Sequence, residues 1–338
     1  MKDKILVTGG TGYIGSHTTV ELINAGYDVV IIDNLSNSNE KVIDGIEKIT
    51  GQRPVFVKGD CTDPTVLKDL FEKNPGIKGI INFAASKAVG ESVEKPLLYY
   101  RNNLSTLINL LELMPEYGVD GIVFSSSCTV YGEPDKNPID ESAPIKKATS
   151  PYGNTKQISE EIITDYVASG APIKSIILRY FNPIGAHPSG NIGELPLGVP
   201  QNLVPYLTQA AAGIRPMLTV FGNDYNTPDG SCIRDYIDVV DLAKAHVLAM
   251  KRILEGKDND RIEIFNLGTG RGLSVLELIK AFEEATGVNV PYKIGERRAG
   301  DIEKIWANPA KANTILGWKA DTDIRDTMKN AWRWQTSL

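Results

Sequence analysis

Thr8-Gly9-Gly10-Thr11-Gly12-Tyr13-Ile14-Gly15 stands between the short apolar run Lys4 to Thr8 and the helical pattern Ile14 to Ala25. Strand, glycine-rich turn and helix in that order form a phosphate cradle. Gly9 permits the tight turn, Gly12 lets backbone approach a pyrophosphate, and Gly15 lets the helix lie close to the strand. The phosphates then sit on free N–H groups at a positive helix end. Asp33 closes the next apolar run, Asp28 to Asp33, where a carboxylate accepts hydrogen bonds from an adenosine ribose diol. Its charge repels a 2′-phosphate, so the expected cofactor is NAD and not NADP. Asp33-Asn34 would also serve simply to start a turn. Asp60, after a third run, either faces the adenine or caps a helix.

Outward from this stretch the pattern repeats. Val55 to Lys58, Gly79 to Phe83, Gly121 to Ser125 and Lys174 to Arg179 are further runs of strand length, with helical patterns between them such as Thr65 to Glu72. Alternating strands and helices imply βαβ units and a parallel sheet covered on both faces. Right-handed crossovers make this a doubly wound, Rossmann-type α/β fold, with ligand at the carboxyl ends of the strands. After Tyr180 the texture changes, with glycine- and proline-rich stretches at 182–205 and 222–230 that read as binding loops. The expected division is a cofactor domain over 1–180 and a smaller α/β substrate-binding lobe over 181–338, with a later segment free to return to the first domain.

Composition narrows the function. The chain is 42% hydrophobic and 23% charged, with a formal net charge of −6, which argues against a nucleic-acid surface. No apolar run approaches the roughly eighteen residues of a membrane span, and Met1-Lys2-Asp3-Lys4 leads straight into the first strand, so neither a signal peptide nor a membrane anchor is expected. Cys61, Cys128 and Cys232 are few and scattered, as in reduced cytoplasmic proteins. Three histidines offer little for a metal centre.

The reactive groups lie elsewhere. Tyr152 and Lys156 are four residues apart in a helical pattern after Ser150-Pro151, so they share one helix face. A free phenol, with pKa about 10, is a poor base at neutral pH. A neighbouring ammonium and the positive ring of a bound nicotinamide would lower that value. Ser125-Ser126-Ser127 ends the fifth strand, where a hydroxyl could bond the reacting oxygen and relay its proton. Alone, the Tyr–Lys pair could be ordinary helix surface and the serines a loop.

The glycine fingerprint, strand-end serine and Tyr-x-x-x-Lys together resemble the extended short-chain dehydrogenase/reductase family and, more narrowly, its UDP-hexose 4-epimerase branch. The likeness extends through Phe83-Ala84-Ala85, Lys87-Ala88-Val89-Gly90-Glu91-Ser92, Ser125 to Gly132, Arg179-Tyr180-Phe181-Asn182-Pro183 and Phe221 to Tyr225. It continues through Arg234-Asp235-Tyr236, Asn266-Leu267-Gly268 and Arg297-Arg298-Ala299-Gly300-Asp301. It implies an NAD-dependent isomerase that interconverts UDP-galactose and UDP-glucose through a 4-keto sugar, with Tyr152, Ser127 and Lys156 catalytic. It also implies cofactor contacts from Gly9, Gly12, Tyr13, Ile14, Gly15, Asp33, Asn34, Asn37, Ser38, Asp60 and Cys61. Phe83, Ala84, Ala85, Lys87, Asn102 and Phe181, together with the three catalytic residues, complete that set. Asn182, Asn202, Leu203, Phe221, Arg234, Arg298 and Asp301 match the nucleotide-sugar side, where Ser127 and Tyr152 also meet substrate. Two arginines can fork onto a diphosphate and Phe221 can pack on uracil. Homodimers through Leu97 to Glu116 and Tyr152 to Ala168 are further implied.

The chain departs from the family at Ser86, where Leu is frequent, and at Cys128, where Ala is. Ile305 occupies a position that is a bulky Tyr in enzymes restricted to UDP-glucose and UDP-galactose, and small where N-acetylhexosamines also fit. Isoleucine is intermediate, and either a gate or plain core suits it. A nucleotide-sugar 4,6-dehydratase would need acids near the strand-end hydroxyl, and Ser127-Cys128-Thr129 has none. A non-catalytic NAD-sensing protein would have no need of the Tyr–Lys pair.

Overall fold

The computed structural model describes residues 2–298 and 300–338; Met1 and Ala299, both quoted above, lie outside them. In chain order the strands are β1 (Lys4–Thr8), β2 (Asp28–Asp33), β3 (Val55–Lys58), β4 (Ile77–Asn82), β5 (Gly121–Ser127), β6 (Lys174–Tyr180), β7 (Asn182–Ile184), β8 (Leu218–Phe221), β9 (Ile233–Arg234), β10 (Tyr236–Asp238), β11 (Ile262–Leu267), β12 (Leu273–Ser274), β13 (Tyr292–Gly295) and β14 (Lys304–Ile305). The helices are α1 (Tyr13–Asn24), α2 (Val42–Thr50), α3 (Pro64–Lys73), α4 (Val89–Glu94), α5 (Pro96–Glu116), α6 (Pro151–Ala168), α7 (Leu203–Ala211), α8 (Val239–Leu254), α9 (Val275–Thr286) and α10 (Ile324–Ser337).

Seven strands form one parallel sheet in the order β11-β6-β5-β4-β1-β2-β3. The chain winds outward in both directions from β1 and β4, the doubly wound arrangement expected from the alternation, and the crevice at this reversal is where such sheets bind ligands. Side chains alternate between the faces. Val7, Ile31, Ile81, Val123 and Ile176 pack with residues of α1, α2 and α8 in one buried cluster. Leu6, Val30, Ile80, Ile122 and Ile177 pack with those of α3, α5 and α6 in the other. Burial on both faces explains why these strands read as continuous apolar runs rather than alternating ones.

Residue 180 is not a clean cut. Helix α8 packs under the sheet and β11 extends its edge beside β6. What remains after Tyr180 forms a smaller body of two- and three-stranded sheets, β7 with β10, β8 with β13, and β12-β9-β14. Its core, around Leu207, Val220, Phe282 and Met328, joins α7, α9 and α10. No helix among the described residues is long and apolar enough to cross a membrane.

Candidate active site

The glycine loop is held by contacts that only glycine allows. Gly9 has φ +70°, and a Cβ there would lie 2.9 Å from the Ala84 nitrogen; one on Gly15 would lie 2.2 Å from the Gly9 carbonyl. The loop is thus pressed between the end of β4 and the start of α1. Helix α1 begins at Gly12 with no side-chain cap and no acid in its first turn. By contrast Asp63, Ser150, Asp238, Ser274 and Asp323 each cap a helix with their own oxygen. A helix start without a side-chain cap leaves its first N–H groups for an anion.

Asp33 sits beside that opening. Its Oδ1 accepts from Leu35 N (2.8 Å) and Ser38 Oγ (3.1 Å), and its Oδ2 accepts from Thr11 N (3.2 Å). A carboxylate has about four acceptor sites, so one remains for a ligand hydroxyl. Leu35 is the one described non-glycine residue at positive φ (60°), a turn that brings its N–H onto Asp33. Asn34 donates to Asp60 (3.0 Å), which also accepts from the backbone and hydroxyl of Thr62. Burial opposes charge on Asp60, but these bonds hold its pKa below the ordinary value. Asp60 caps no helix; that role falls to Asp63. Asn37 is exposed and Cys61 buried. Across the loop, Asn102 donates to Ser86 Oγ (3.1 Å), and Tyr13 to the Gly185 carbonyl (2.8 Å).

The predicted reactive residues converge. Ser150 accepts from Gly153 N (3.1 Å) and Pro151 opens α6, which fixes where Tyr152 leaves the helix. Tyr152 is 9% exposed and Lys156 5%. Lys156 Nζ donates to the Ser125 carbonyl (2.7 Å) and stands 5.9 Å from the Tyr152 ring centre. Ser127 ends β5 and accepts from Thr129 N (3.2 Å). Burial pushes the Tyr152 phenol well above 10, with Tyr180 and Cys128 adding to the rise and Ser127 opposing it. Burial also lowers Lys156, to about 8, against the raising influence of Glu160. The expectation that Lys156 depresses Tyr152 is therefore not met in the chain by itself. Exclusion of water sets the Tyr152 shift.

On the other wall, Asp301 lies between two arginines. Arg298 donates to it at 2.7 Å, and Arg234 Nη2 is 3.8 Å away. The Arg298 guanidinium stands 5.4 Å from the centre of the Phe221 ring, which is 42% exposed. Asn202 begins α7, followed by Leu203, and Asn182 pairs with Tyr236. Ile305 pairs with Arg234 and is buried with Cys128, Tyr131, Phe181 and Ala307. A pocket of about 430 Å³, lined by Asp120, Lys174 and Arg261, lies at the far end of β5 and β6 and contains none of these residues.

This geometry can be set beside known proteins. The family model for GDP-mannose 4,6 dehydratase matches residues 6–331, so the chain is a member of that broad family. UDP-glucose 4-epimerase of Bacillus subtilis is 51% identical over 333 residues, 98% of this chain and 97% of the relative. The chain belongs to the UDP-glucose 4-epimerase family. The epimerase of Stenotrophomonas maltophila, solved with NAD and formylated UDP-arabinopyranose, has TM-score 0.95 and 48% identity, covering 99% of this chain and 98% of that one. The Bifidobacterium longum epimerase, in complex with NAD+ and UDP, has TM-score 0.94 and 46% identity over the same shares. The expected membership in the epimerase branch and the α/β fold both hold.

Within this epimerase-family site, reading the sequence missed several groups. Glu194 accepts from Asn202 (2.6 Å) and lies 3.6 Å from Lys87, joining a residue predicted for the cofactor to one predicted for the sugar. Asp235 is fully buried and accepts from Thr269, Gly270 and Ala307, tying three loops together. Tyr180 bonds Ser125 (2.7 Å), and Glu160 pairs with Arg179. Only the i, i+4 spacing of Glu160 from Lys156 could have pointed to one of them.

Proposed function

We propose that this chain is an NAD-dependent UDP-glucose 4-epimerase, interconverting UDP-galactose and UDP-glucose through a 4-keto sugar. The observation that carries the reading is the convergence of Tyr152, Lys156 and Ser127 at the end of β5, in the same parallel sheet whose β1 leads into the uncapped start of α1, in a chain about half identical to epimerases end to end. NAD fits, because the glycine cradle has no room for a Cβ and Asp33 keeps one acceptor site free.

When bound, NAD would supply a reversible hydride acceptor at C4 of the sugar and a positive ring charge. Tyr152 accepts the 4-hydroxyl proton and later gives it back, and Ser127 bridges phenol and sugar oxygen. Lys156 holds the nicotinamide ribose and, as an ammonium, adds to the charge that draws down the Tyr152 pKa. Buried Tyr152 is a competent acid already; it becomes a base only as positive charge collects around it. Arg234, Arg298, Asp301, Asn182 and Asn202 anchor the UDP moiety, with Phe221 against uracil. Charged anchors at the nucleotide and few at the hexose leave the keto sugar free to turn over before hydride returns. UDP-N-acetylhexosamines are a further substrate class that the intermediate size of Ile305 leaves open.

In this reading the first 180 residues, with α8 and β11, serve NAD and the rest serves the UDP-sugar. A homodimer through α5 and α6 is supported by Leu97 and Ile108, exposed on α5. Three free, buried cysteines suit a reducing cytoplasm. The 4,6-dehydratase alternative is disfavoured by the absence of a carboxylate in Ser127-Cys128-Thr129. Incubation of the purified protein with UDP-galactose should yield UDP-glucose; no conversion, even with added NAD, refutes the proposal. Tyr152→Phe should retain NAD and lose roughly a hundred- to ten-thousand-fold in turnover.

A further inference from the structure

Tyr152, Lys156 and Glu160 follow one another at four-residue spacing on the buried face of α6. Glu160 contacts neither predicted ligand site, yet its carboxylate is the centre of a closed network. Arg179, on β6, donates to it from Nε (3.0 and 3.2 Å) and from Nη2 (2.5 Å). Ser126, beside Ser127 on β5, donates at 2.5 Å. Arg179 also donates to Tyr131 (3.0 Å), whose hydroxyl donates to Asn266 (2.7 Å) on β11. One carboxylate therefore ties α6, which carries Tyr152 and Lys156, to the strand that ends in Ser127.

We propose that Glu160 is a positioning residue for the reaction: clamped by Arg179 and Ser126, it fixes α6 against β5 and supplies the negative charge that keeps Lys156 an ammonium. This rests on the epimerase reading for the role of Lys156. Among the described residues, Glu160 is the charged group that acts on Lys156. From β5 Lys156 meets the Ser125 carbonyl and the Phe124 ring. From β6 come Tyr180 and Arg179, and from residues 128–131 Cys128 and Tyr131, all phenol, thiol or cation. From α4 and α5 come Glu91 and Tyr99, bonded to each other (2.9 Å), with Lys95 also on Glu91. Burial brings Lys156 to about 8, and Glu160 is the group that opposes the fall.

Glu160→Gln keeps the size and most of the hydrogen bonding but deletes the charge. Losing an opposite charge one helical turn away weakens proton affinity by roughly tenfold. The alkaline limb of turnover should then move down by about one pH unit. That is a loss of about fivefold at pH 8 with little change at pH 6, at unchanged KM for UDP-galactose. Glu160→Asp should restore much of the limb. Deleting one partner of a buried pair can unfold a protein, so Glu160→Met with Arg179→Met is the second variant, because apolar replacement of both partners is often tolerated. It should fold and show a shift in the same direction but smaller, because the opposing charge of Arg179 leaves with the carboxylate. Thermal melting from pH 6 to 10, compared with Lys156→Met in each background, reads the proton on Lys156 without turnover. An alkaline limb and a melting profile that stay where wild type has them overturn the proposal. Wild-type protein inactive on UDP-galactose would sink the epimerase reading alone, since the melting comparison still tests Glu160.

Discussion

Gly15→Ala isolates the cofactor cradle with one methyl group. The added Cβ would lie 2.2 Å from the Gly9 carbonyl, 2.9 Å from Gly10 Cα and 3.0 Å from the Gly9 carbonyl carbon, all backbone atoms that cannot rotate away. Ordinary contact begins near 3.4 Å, so helix and loop must part by about 1 Å. Gly9 is pinned behind by Ala84 and by its N–H bond to the Ile32 carbonyl (2.8 Å), which leaves α1 to give way. Overpacking of this kind costs about 1–3 kcal/mol of stability. The same retreat withdraws the N–H groups at the start of α1 from a bound phosphate. Losing one hydrogen bond to a charged group costs about 1.5–3 kcal/mol, roughly ten- to a hundredfold in NAD affinity. Gly12→Ala is the graded comparison, its Cβ meeting the Gly9 carbonyl at 3.1 Å, and Gly90→Ala the control, with nothing within 4 Å. NAD retained on purification, its dissociation constant by titration, and urea unfolding read the effects separately. Affinity falling in the order Gly90, Gly12, Gly15 is expected. NAD affinity for Gly15→Ala equal to that of the Gly90 control would refute the cradle argument.

Two further substitutions test single contacts. Asp33→Ala removes the acceptor for Thr11, Leu35 and Ser38 and the charge facing the ribose. NAD should bind roughly tenfold or more weakly, and the NAD-to-NADP preference should narrow, as measured by parallel titrations. Ile305→Ala should destabilise by about 2–4 kcal/mol in urea, because Ile305 is packed among Cys128, Tyr131 and Phe181. If the same side chain gates the sugar, turnover of UDP-N-acetylglucosamine relative to UDP-glucose should rise, and an unchanged ratio would leave Ile305 as core alone.

The sheet was legible because its strands are buried on both faces. Runs such as Asp28 to Asp33 have no competing reading once glycine turns and helical patterns flank them, and β1, β2 and β3 begin and end where expected. The ends of β4, β5 and β6 were less so. Gly121 to Ser125 continues to Ser127 because Ser126 and Ser127 pair with Arg179 and Tyr180, and serines carry no strand signal. Strand β11 pairs with β6 across some eighty residues, which local patterning cannot register. Charged groups were legible where a motif framed them, as with Lys156 and Asp33. Glu160 stands in a helical pattern, Glu194 in a glycine- and proline-rich loop, and Asp235 in a motif that gave it no role, and only the fold gives them partners.

The protonation order at the reactive pair follows from burial more than from spacing. In water a lysine and a tyrosine have similar affinities for a proton. Here the low-dielectric pocket favours the neutral form of each, raising Tyr152 and lowering Lys156 to about 8, so their order is reversed and the gap opens. A tyrosine held neutral is ready to give a proton but cannot take one, so the chain by itself favours only half of a reversible transfer. The other half needs positive charge that stays close to the phenol throughout the cycle. Glu160 secures one such charge by keeping Lys156 protonated; the cofactor's ring supplies the other in its oxidised form. Reduction of a bound nicotinamide would withdraw that second charge as Tyr152 takes up the proton, leaving the charge on Lys156 in place. Positive charge beside the phenol would therefore keep Tyr152 able to accept a proton, loss of that charge would raise its proton affinity as the proton arrives, and return of the charge would lower it as the proton leaves, a coupling that water would screen for an exposed tyrosine.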